Sequence, residues 1–338
     1  MLPKVLVDKG GIDAAEGDWQ RLLQHIEAEL VERENPYSED ELIAALQGCS
    51  GLIRLGSHMP DLTRRVFAEV PELKIAGVRG DRFGTGVDMD AASEFDVKII
   101  DTDNISSSQP VAEWDLAMML ICLRNAGAVY RQMMQGTETW AVAGNADFVS
   151  GELTERKVGL IGCGHVGQRL IELLRPFRVD LLVYDPYISD DLAYELEIVC
   201  GEMDDVLGHA DILVVQVPHT PNTEKMIGAR ELDLLGTGKI LVNCSRGKVI
   251  DQQALIEKLE AGELIAGLDV FDPEPMEKDN PLRHMPNAFI TPHIAWYAPH
   301  ALSRCFGLMA EEFEHFFTGE PLQYELTRRM VDIRSGQL

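Results

Sequence analysis

Three glycines at a fixed spacing give the sequence its clearest chemical signal. Gly162, Gly164 and Gly167 form the pattern GxGxxG after the strand-like run KVGLI and at the opening of a helix. The first glycine permits a tight turn, the second lets the backbone approach a pyrophosphate, and the third lets helix and strand pack closely. The pattern predicts a dinucleotide site, with the amides of His165 and Val166 best placed to meet the phosphates at the helix N-terminus.

An acidic residue follows this loop at the distance that ribose recognition requires. Asp185 ends the next strand-like run and lies 18 residues beyond Gly167. A carboxylate there accepts hydrogen bonds from the ribose hydroxyls of NAD and repels the 2′-phosphate of NADP, so NAD is the predicted cofactor. Within the loop, we interpret His165 as a surface side chain rather than a catalyst, and Cys163 as a small residue tolerated by the turn.

Polar side chains that could move a proton follow three later strand-like runs. Arg246 follows KILV, Glu274 follows LIAGLDV, and His293 follows AFIT. We expect them to converge, because the carboxyl ends of parallel strands face the ligand crevice of an open α/β sheet. Arg246 offers a fork of donors to a carboxylate and to a carbonyl oxygen that gains charge. His293 can give that oxygen a proton, and Glu274 can fix the ring and favour its protonated form, which is what hydride transfer to a carbonyl requires.

Each of these three residues also has a structural interpretation. Arg246 could form a surface salt bridge, and His293 could cap the helix that follows it. Glu274 stands between two prolines and could serve plain turn chemistry, with Asp272 as the alternative carboxylate. The catalytic interpretation is the favoured one in each case.

The elements that must carry these residues form two series. The first hundred residues alternate short apolar runs with helix-like stretches, which is typical of a parallel sheet with crossover helices. A second alternation starts at Lys157 and contains six apolar runs, enough for one doubly wound sheet. Serines at a plausible N-cap precede Pro110 and a long apolar helix that we expect to be buried, and a further helix is predicted from Ala301 to Phe317. Periodicity alone leaves the division into domains open.

Composition excludes several classes of protein. The 338 residues are 46% hydrophobic, and no apolar run approaches the roughly 20 residues of a membrane span. The N-terminus enters a strand-like run without the features of a signal peptide, so we expect a cytoplasmic protein. A net charge of −26 argues against nucleic acid as a partner, although local arginines could still hold a small anionic substrate. The six cysteines stand singly and are interpreted as reduced, mostly buried thiols, with no metal site expected.

Taken together, the motifs resemble those of the D-isomer-specific 2-hydroxyacid dehydrogenases, which include phosphoglycerate dehydrogenases, glyoxylate and hydroxypyruvate reductases, and the C-terminal-binding-protein corepressors. The resemblance covers nearly the whole chain in the family's order. It implies NAD-dependent hydride transfer to a small 2-keto acid, with Arg246, Glu274 and His293 as the catalytic triad. The motifs that carry it are PELKIAGV, GTGVDMDAA, VAEWDLAMML, VGLIGCGHVGQ, VYDPY, VPHTPNT, NCSRGKVIDQQALIEKLEAG, GLDVFDPEP, PNAFITPHIAW and FFTGEPL.

The resemblance also implies contacts with the cofactor beyond the glycine loop and Asp185. Asp269 is expected to lie beside the nicotinamide. Cys244 and Ser245 are expected to line the cofactor site, and Pro218 and Thr223 to lie in a loop that covers the cofactor. Arg246 and His293 are expected to contact the cofactor as well.

Substrate contacts follow from the same resemblance. Family substrates rest their carboxylate on backbone amides of a glycine loop, here at Thr85 and Gly86, and Arg54 matches an arginine at a substrate-facing strand end. Trp296 resembles the tryptophan of the corepressor branch that packs on the substrate, and packing between domains is the alternative. Glu274 separates the chain from the formate dehydrogenase branch, which has glutamine there.

One loop, VRGDRFGTGVD, is longer than in most relatives. Its two arginines, Arg79 and Arg82, could hold a second anionic group of the substrate. Solvated surface charges paired with Asp81 are the favoured interpretation.

The domain arrangement that periodicity leaves open is predicted by the resemblance. It implies an α/β fold of two doubly wound parallel-sheet domains, with a Rossmann NAD-binding domain (109–301) inserted in a flavodoxin-like substrate domain (1–108 and 302–338). The active site is expected in the cleft between them, and a homodimer through the nucleotide domain. Two alternatives stay open: a corepressor-like protein that senses NAD(H), disfavoured by the missing basic or disordered tail, and a phosphoglycerate dehydrogenase, disfavoured by the missing C-terminal regulatory domain.

Overall fold

Two series of short apolar strands form two parallel sheets covered by helices. The computed structural model describes residues 2–8, 12–31, 35–55, 59–79, 86–138, 140 and 151–338. Within these ranges the strands are β1 (Lys4–Asp8), β2 (Glu27–Val31), β3 (Gly51–Arg54), β4 (Ile75–Val78), β5 (Lys98–Asp101), β6 (Lys157–Ile161), β7 (Asp180–Tyr184), β8 (Val199–Cys200), β9 (Ile212–Val215), β10 (Lys239–Asn243), β11 (Leu264–Leu268) and β12 (Ala288–Ile290). The α-helices of the same ranges are α1 (Glu16–Leu22), α2 (Glu39–Leu46), α3 (Arg64–Glu69), α4 (Met89–Glu94), α5 (Asp103–Ser106), α6 (Ser108–Leu123), α7 (Ala126–Gln135), α8 (His165–Leu174), α9 (Asp190–Glu195), α10 (Met203–His209), α11 (Ala229–Leu235), α12 (Gln252–Glu260), α13 (Pro299–Thr318) and α14 (Arg328–Ser335).

The chain divides into two compact units. Unit 1 consists of Met1–Ser107 and Ala298–Leu338, and unit 2 of Ser108–Tyr297. The boundary expected at 301/302 falls inside α13, whereas the units divide just before this helix. Pro299 is the first residue of α13, where its fixed φ suits a helix start and its missing N–H costs nothing. All of α13 therefore belongs to unit 1.

Unit 1 is built on a five-stranded sheet in the order β2-β1-β3-β4-β5, and all its strand pairs are parallel. This is the 2-1-3-4-5 order of flavodoxin-like folds. Its inner strands have apolar, buried centres because both faces are covered, and the charged residues Lys4, Asp8 and Arg54 stand only at strand ends. On one face α13 contributes the fully buried Phe306, Met309 and Phe313, while α2, α3 and α4 cover the other. A Cβ at Gly77 would lie only 2.2 Å from Sδ of Met309, which shows how closely α13 approaches the sheet.

Unit 2 is built on a seven-stranded parallel sheet in the order β12-β11-β10-β9-β6-β7-β8. Counted from β6, this is the 3-2-1-4-5-6 order of dinucleotide-binding folds with one strand added at the end. Buried side chains of α6 and α8 cover one face, and those of α10, α11 and α12 cover the other. The predicted doubly wound fold class is confirmed, but the six predicted strands are seven, because β8 is short and both its residues are exposed.

The helix predicted after Pro110 starts earlier than expected. Since α6 begins at Ser108, Pro110 lies inside its first turn, where the missing N–H has no intrahelical partner to lose. The serines therefore do not cap a helix that starts after the proline. Most of the inner face of α6 is buried against the sheet of unit 2, including Met118, Met119 and Cys122. Across the described ranges, no helix has both the length and the apolar character needed to cross a membrane.

Candidate active site

The glycine loop between β6 and α8 is packed too tightly for side chains at two of its three glycines. Gly162 has a φ of +98°, and its amide donates to the carbonyl of Tyr184 at 2.8 Å. A Cβ at Gly162 would lie 2.3 Å from the carbonyl oxygen of Gln216, and one at Gly167 would lie 2.4 Å from the carbonyl oxygen of Gly162. Helix and strand thus pack closely at Gly167 and the chain turns at Gly162, as the spacing predicted, while the contact of Gly162 with the residue after β9 was not predicted.

The middle glycine has the opposite surroundings. Gly164 is the N-cap residue of α8, and a Cβ built on it would meet no atom within 4 Å. The helix begins at His165, so the first amides of α8, which point away from the helix at its N-terminus, belong to His165 and Val166. An open approach to backbone amides at a helix N-terminus is what a pyrophosphate requires, so the loop fits the dinucleotide that the pattern predicted.

Asp185 is held against the glycine loop. It follows β7 directly, and its carboxylate accepts hydrogen bonds from the amide of Cys163 at 2.7 Å and from the amide of Tyr187 at 2.8 Å. Each carboxylate oxygen can accept a further bond, so the group can still receive ribose hydroxyls. The Cys163 thiol is only 4% exposed, and burial together with the charge of Asp185 raises its pKa to about 12. A redox role for this thiol is disfavoured, because the thiolate is the reactive form.

Among the predicted catalytic residues, His293 and Glu274 are in direct contact. Nδ1 of His293 lies 2.7 Å from Oε2 of Glu274, and the second carboxylate oxygen accepts the amide of Phe271 at 3.0 Å. Both side chains remain partly accessible, with 17% of His293 and 28% of Glu274 exposed. The alternative in which His293 caps the next helix does not fit, since Ala298 occupies the N-cap position of α13. Geometry likewise selects Glu274, rather than Asp272, as the carboxylate beside the ring.

The segment that carries His293 is anchored by Asp269. His293 has a φ of +54°, a left-handed conformation that is uncommon outside glycine, and its amide donates to the carbonyl of Asp269 at 2.8 Å. The fully buried Asp269 carboxylate accepts the hydroxyl of Thr291 at 2.5 Å and the amides of Ile294 at 3.0 Å and Ala295 at 2.8 Å. A non-glycine residue with this φ persists only where its surroundings hold it, and Asp269 provides that hold.

Arg246 lies on a turn that touches the Glu274 segment. Its Nη1 donates to the carbonyl of Ser245 at 2.7 Å, and the Asn243 side chain donates to the Arg246 carbonyl at 3.0 Å. A Cβ at Gly247 would lie 2.0 Å from the carbonyl oxygen of Phe271, whose amide in turn binds Glu274. Since β10, β11 and β12 are neighbours in the sheet, their carboxyl ends bring Arg246, Glu274 and His293 to one edge.

Other predicted cofactor contacts follow β9 and β10 at the same edge. The Thr223 hydroxyl donates to the carbonyl of Pro218 at 2.6 Å, which closes the loop after β9 into a compact turn. Cys244 and Ser245 follow β10 directly and are buried, and the Ser245 hydroxyl donates to Asn243 at 2.8 Å. All four residues therefore follow the carboxyl ends of β9 and β10, and their contact with the cofactor stays a prediction.

Two of the predicted substrate contacts come together in unit 1. Arg54 ends β3 and donates from Nη1 to the carbonyl of Pro60 at 2.6 Å. Gly86 has a φ of +58°, and a Cβ there would lie 2.7 Å from Nη2 of Arg54. Thr85 lies outside the described residues.

Neither Arg82 nor Asp81 of the long loop belongs to the described residues. Arg79 pairs with Asp103 at 2.9 Å. In unit 2, Trp296 is 38% exposed and packs edge-on against Tyr297, with ring centroids 5.5 Å apart.

One buried carboxyl group was not predicted from the sequence as a candidate functional residue. Asp115 on α6 is fully buried, and its Oδ2 accepts the side-chain amide of Gln216 at 2.7 Å. The signal was present in VAEWDLAMML, because Asp115 is the only charged residue from Trp114 to Leu123. Within the described ranges, no group of three or more histidine, cysteine or acidic side chains could hold a metal ion.

The fold and site of unit 2 define a dinucleotide-binding α/β protein. The family model for the NAD binding domain of the D-isomer specific 2-hydroxyacid dehydrogenases matches residues 116–295. The chain therefore belongs to this family, and unit 2 contains its NAD-binding domain. The predicted family and NAD as the cofactor are confirmed, and the prediction of an NAD-dependent oxidoreductase is confirmed at the level of the family.

Individual relatives agree with this assignment. D-3-phosphoglycerate dehydrogenase of Methanocaldococcus jannaschii is 31% identical over 84% of this chain and 52% of its own length, so the chain spans about half of that protein. Glyoxylate reductase of Korarchaeum cryptofilum is 28% identical over 99% of this chain and 98% of its own. The crystal structure of a phosphoglycerate oxidoreductase from Rhizobium etli shares the fold, with a TM-score of 0.82 at 22% identity, covering 96% of this chain and 98% of that one.

Proposed function

We propose that this protein is an NAD-dependent D-2-hydroxyacid dehydrogenase that interconverts a small 2-keto acid and its 2-hydroxy acid. The contact between His293 and Glu274 supports the proposal, because it would orient a proton donor at the edge of the sheet where the cofactor is proposed to bind. A relative of nearly equal length is named glyoxylate reductase, which supports a small 2-keto acid as substrate.

The proposed roles of the cofactor residues follow from their surroundings. Bound NADH would supply the hydride, and the reacting carbonyl carbon of the substrate would receive it. The open backbone at Gly164 and the amides of His165 and Val166 would hold the pyrophosphate. Asp185 would accept the ribose hydroxyls, while Asp269 would keep the His293 segment in place beside the nicotinamide.

Proton transfer is assigned to His293. Because Nδ1 is engaged by Glu274, the opposite ring nitrogen, Nε2, is the one that would serve the substrate oxygen. The carboxylate of Glu274 stabilises the charged ring before transfer and keeps its orientation afterwards. Arg246 would hold the substrate carboxylate and the carbonyl oxygen as charge develops there. In the oxidation direction, His293 would take back the same proton.

Unit 1 is proposed as the substrate domain, with Arg54, Gly86 and Thr85 as its contacts and Trp296 of unit 2 as a further one. Arg54 and Gly86 are supported by their proximity to each other. A phosphoglycerate dehydrogenase is the second candidate, since a relative of that name is 31% identical to this chain.

The test is a substrate panel with purified protein. NADH oxidation would be followed with glyoxylate, hydroxypyruvate, phenylpyruvate, 4-methylthio-2-oxobutyrate and 3-phosphohydroxypyruvate. We expect turnover with at least one unphosphorylated acid and its loss in His293→Ala. Turnover confined to the phosphorylated acid would favour phosphoglycerate dehydrogenase. Tight NADH binding without turnover of any of them would favour a corepressor-like protein that senses NAD(H).

A homodimer in the cytoplasm is proposed for the assembled protein. On α7, Tyr130, Met133 and Met134 share one face and are 65%, 52% and 69% exposed, and a second copy of unit 2 is the partner we propose for this face. All six cysteines are free thiols, five of them buried, which supports a reducing compartment.

A further inference from the structure

A buried carboxyl group lies beneath the cofactor crevice and has no role in the chemistry described above. Asp115 is on α6, the helix that packs under the sheet of unit 2, and none of its side chain is exposed. Gln216 Nε2 donates to Oδ2 at 2.7 Å, while Oδ1 has no hydrogen-bond partner among the described residues. A charged carboxylate in such surroundings is poorly compensated.

The neighbours of Asp115 place it at the point where a dinucleotide crosses the sheet. Gln216 follows β9, and its carbonyl oxygen is the atom that a Cβ at Gly162 would strike at 2.3 Å. Because β6 and β9 are adjacent strands whose connections run to opposite sides, the crevice above their carboxyl ends is the switch point where ligands bind. Cys244, after β10, interacts with the same carboxyl group. Asp115 therefore lies under the crevice and not at the periphery of the unit.

The titratable groups that face Asp115 come from two neighbouring strands. Burial raises the pKa of the Asp115 carboxyl to about 8, and repulsion from Asp269 after β11 acts in the same direction. Burial also raises the pKa of the Cys244 thiol well above its ordinary value, so this thiol stays neutral near pH 8. Asp115 is thus the group at this place whose charge changes between neutral and mildly alkaline pH.

The two redox forms of the cofactor differ in the charge of the nicotinamide ring, which gives or receives the hydride. The nicotinamide ring of NAD⁺ is a cation, and that of NADH is neutral. A buried carboxylate attracts a nearby cation far more strongly than an exposed one does, because the surrounding dielectric constant is low. Any effect of the carboxylate on the pyrophosphate is common to both forms, so an ionised group under the crevice would favour the oxidised form relative to the reduced one.

We propose that Asp115 is a specificity-determining residue of the cofactor site, which favours NAD⁺ over NADH when it is ionised and loses this preference when it is protonated. The inference rests on the proposed binding of NAD(H) by unit 2, and it does not depend on which keto acid is the substrate. Binding of NAD⁺ then expels a proton from Asp115, whereas binding of NADH does not.

The test compares nucleotide affinities of wild type and Asp115→Asn, which keeps the shape of the side chain and fixes its charge at zero. Dissociation constants for NAD⁺ and NADH would be measured separately from about pH 6.5 to about pH 9. In the wild type, the ratio of the NAD⁺ constant to the NADH constant should fall by about tenfold with rising pH, a magnitude usual for coupled sites. In Asp115→Asn the fall should be largely lost. Any contribution of His293 to the ratio is common to both proteins.

A control variant and a calorimetric measurement complete the test. Glu113→Gln makes the same chemical change on an exposed residue of α6 and should behave like the wild type. Calorimetry of the wild type in buffers of different ionisation enthalpy counts released protons directly, and so needs no variant to fold. An equal pH dependence in wild type and folded Asp115→Asn, or an equal proton count for both nucleotides, would overturn the inference. Absence of any nucleotide binding would instead refute the proposed function itself.

Discussion

The imidazole of His293 and the carboxylate of Glu274 meet at 2.7 Å, and the second oxygen of that carboxylate is held by the amide of Phe271. The carboxylate therefore cannot turn away from the ring without losing a backbone hydrogen bond. This arrangement makes the orientation of the ring a property of the segment after β11 and not of the histidine alone.

Replacing Glu274 tests that dependence. Glu274→Gln keeps a hydrogen-bonding group but removes the charge that stabilises the protonated ring, so we expect kcat to fall by about 10²-fold, within the range of acid–base contributions. The dissociation constant for NADH should stay unchanged, since the glycine loop and Asp185 are the groups proposed to bind it. Steady-state kinetics and fluorescence titration measure the two quantities. Glu277→Gln, on an exposed residue nearby, is the control, and a similar loss in both variants would contradict the role of Glu274.

Two glycines of the loop should respond differently to alanine. At Gly164 nothing lies within 4 Å of a new Cβ, so Gly164→Ala should alter the free energy of unfolding by no more than about 1 kcal/mol while weakening NADH binding. At Gly167 the new Cβ meets a backbone oxygen at 2.4 Å, so Gly167→Ala should cost about 1–3 kcal/mol of stability as well.

Gly208→Ala, in α10 with open space around it, is the control for both glycine variants. It should leave binding unchanged and stability equal or slightly higher. Thermal unfolding and NADH titration on the four proteins check the set. A Gly164→Ala variant that binds NADH like the wild type would remove the proposed path of the pyrophosphate.

The choice between NADH and NADPH should depend on Asp185. Asp185→Ala removes a charged acceptor from the proposed ribose site, and we expect the affinity for NADH to fall by about tenfold, as for a hydrogen bond to a charged group. Discrimination against NADPH should shrink with it, because the repulsion of the 2′-phosphate is lost. Asp191→Ala, an exposed residue beyond the site, is the control. Equal use of both nucleotides by the wild-type protein would count against this role.

The buried position of Asp115 also has a consequence for stability. A carboxyl group ordinarily titrates near pH 3.9, and in the folded protein the Asp115 pKa is about 8. Between these values the folded state holds a proton that the unfolded state has lost, so stability falls as pH rises, by at most about 1.4 kcal/mol per pH unit from this group. Asp115→Asn should therefore gain stability over the wild type as pH increases toward 8 and should show little gain near pH 4. Denaturant unfolding at several pH values measures this difference, and a constant difference would contradict it.

A charge introduced on the exposed apolar face of α7 should disrupt the proposed dimer. Met133→Glu places a charge among apolar side chains, so it should convert the proposed dimer to monomers, as measured by light scattering after gel filtration. Gln132→Glu adds the same charge on the opposite side of the helix and should remain dimeric. A wild-type protein that is monomeric at micromolar concentration would refute the proposed interface.

Much of the cofactor region could be predicted because its determinants are local. Gly167 is required by a backbone contact within the loop and Gly162 by the positive φ of its turn, and the residues after apolar runs must lie at the carboxyl ends of the strands. The edge strands β2 and β8 lack this signal, because β2 contains two glutamates and is mostly exposed, and β8 has only two residues, both exposed.

Contacts between residues that are distant in the chain could not be predicted from the sequence. The Asp103 partner of Arg79 is distant in the chain, and the burial of Asp115 depends on which face of α6 packs on the sheet. Both follow from tertiary packing, which periodicity does not encode. The bounds of the units were missed by a few residues for the same reason, since the helical pattern shows where α13 runs and not what it packs against.

Because unit 2 separates the two segments of unit 1, these segments are synthesised at different times. The strands of unit 1 are synthesised first, but α13, which supplies Phe306, Met309 and Phe313 to one face of the sheet, follows only after the 190 residues from Ser108 to Tyr297. Unit 2 contains all its strands by then and can fold as nascent chain, since domains generally fold as units during synthesis. The part of the protein that is translated first is thus completed last, and until then one apolar face of its sheet lacks the side chains of α13 that cover it.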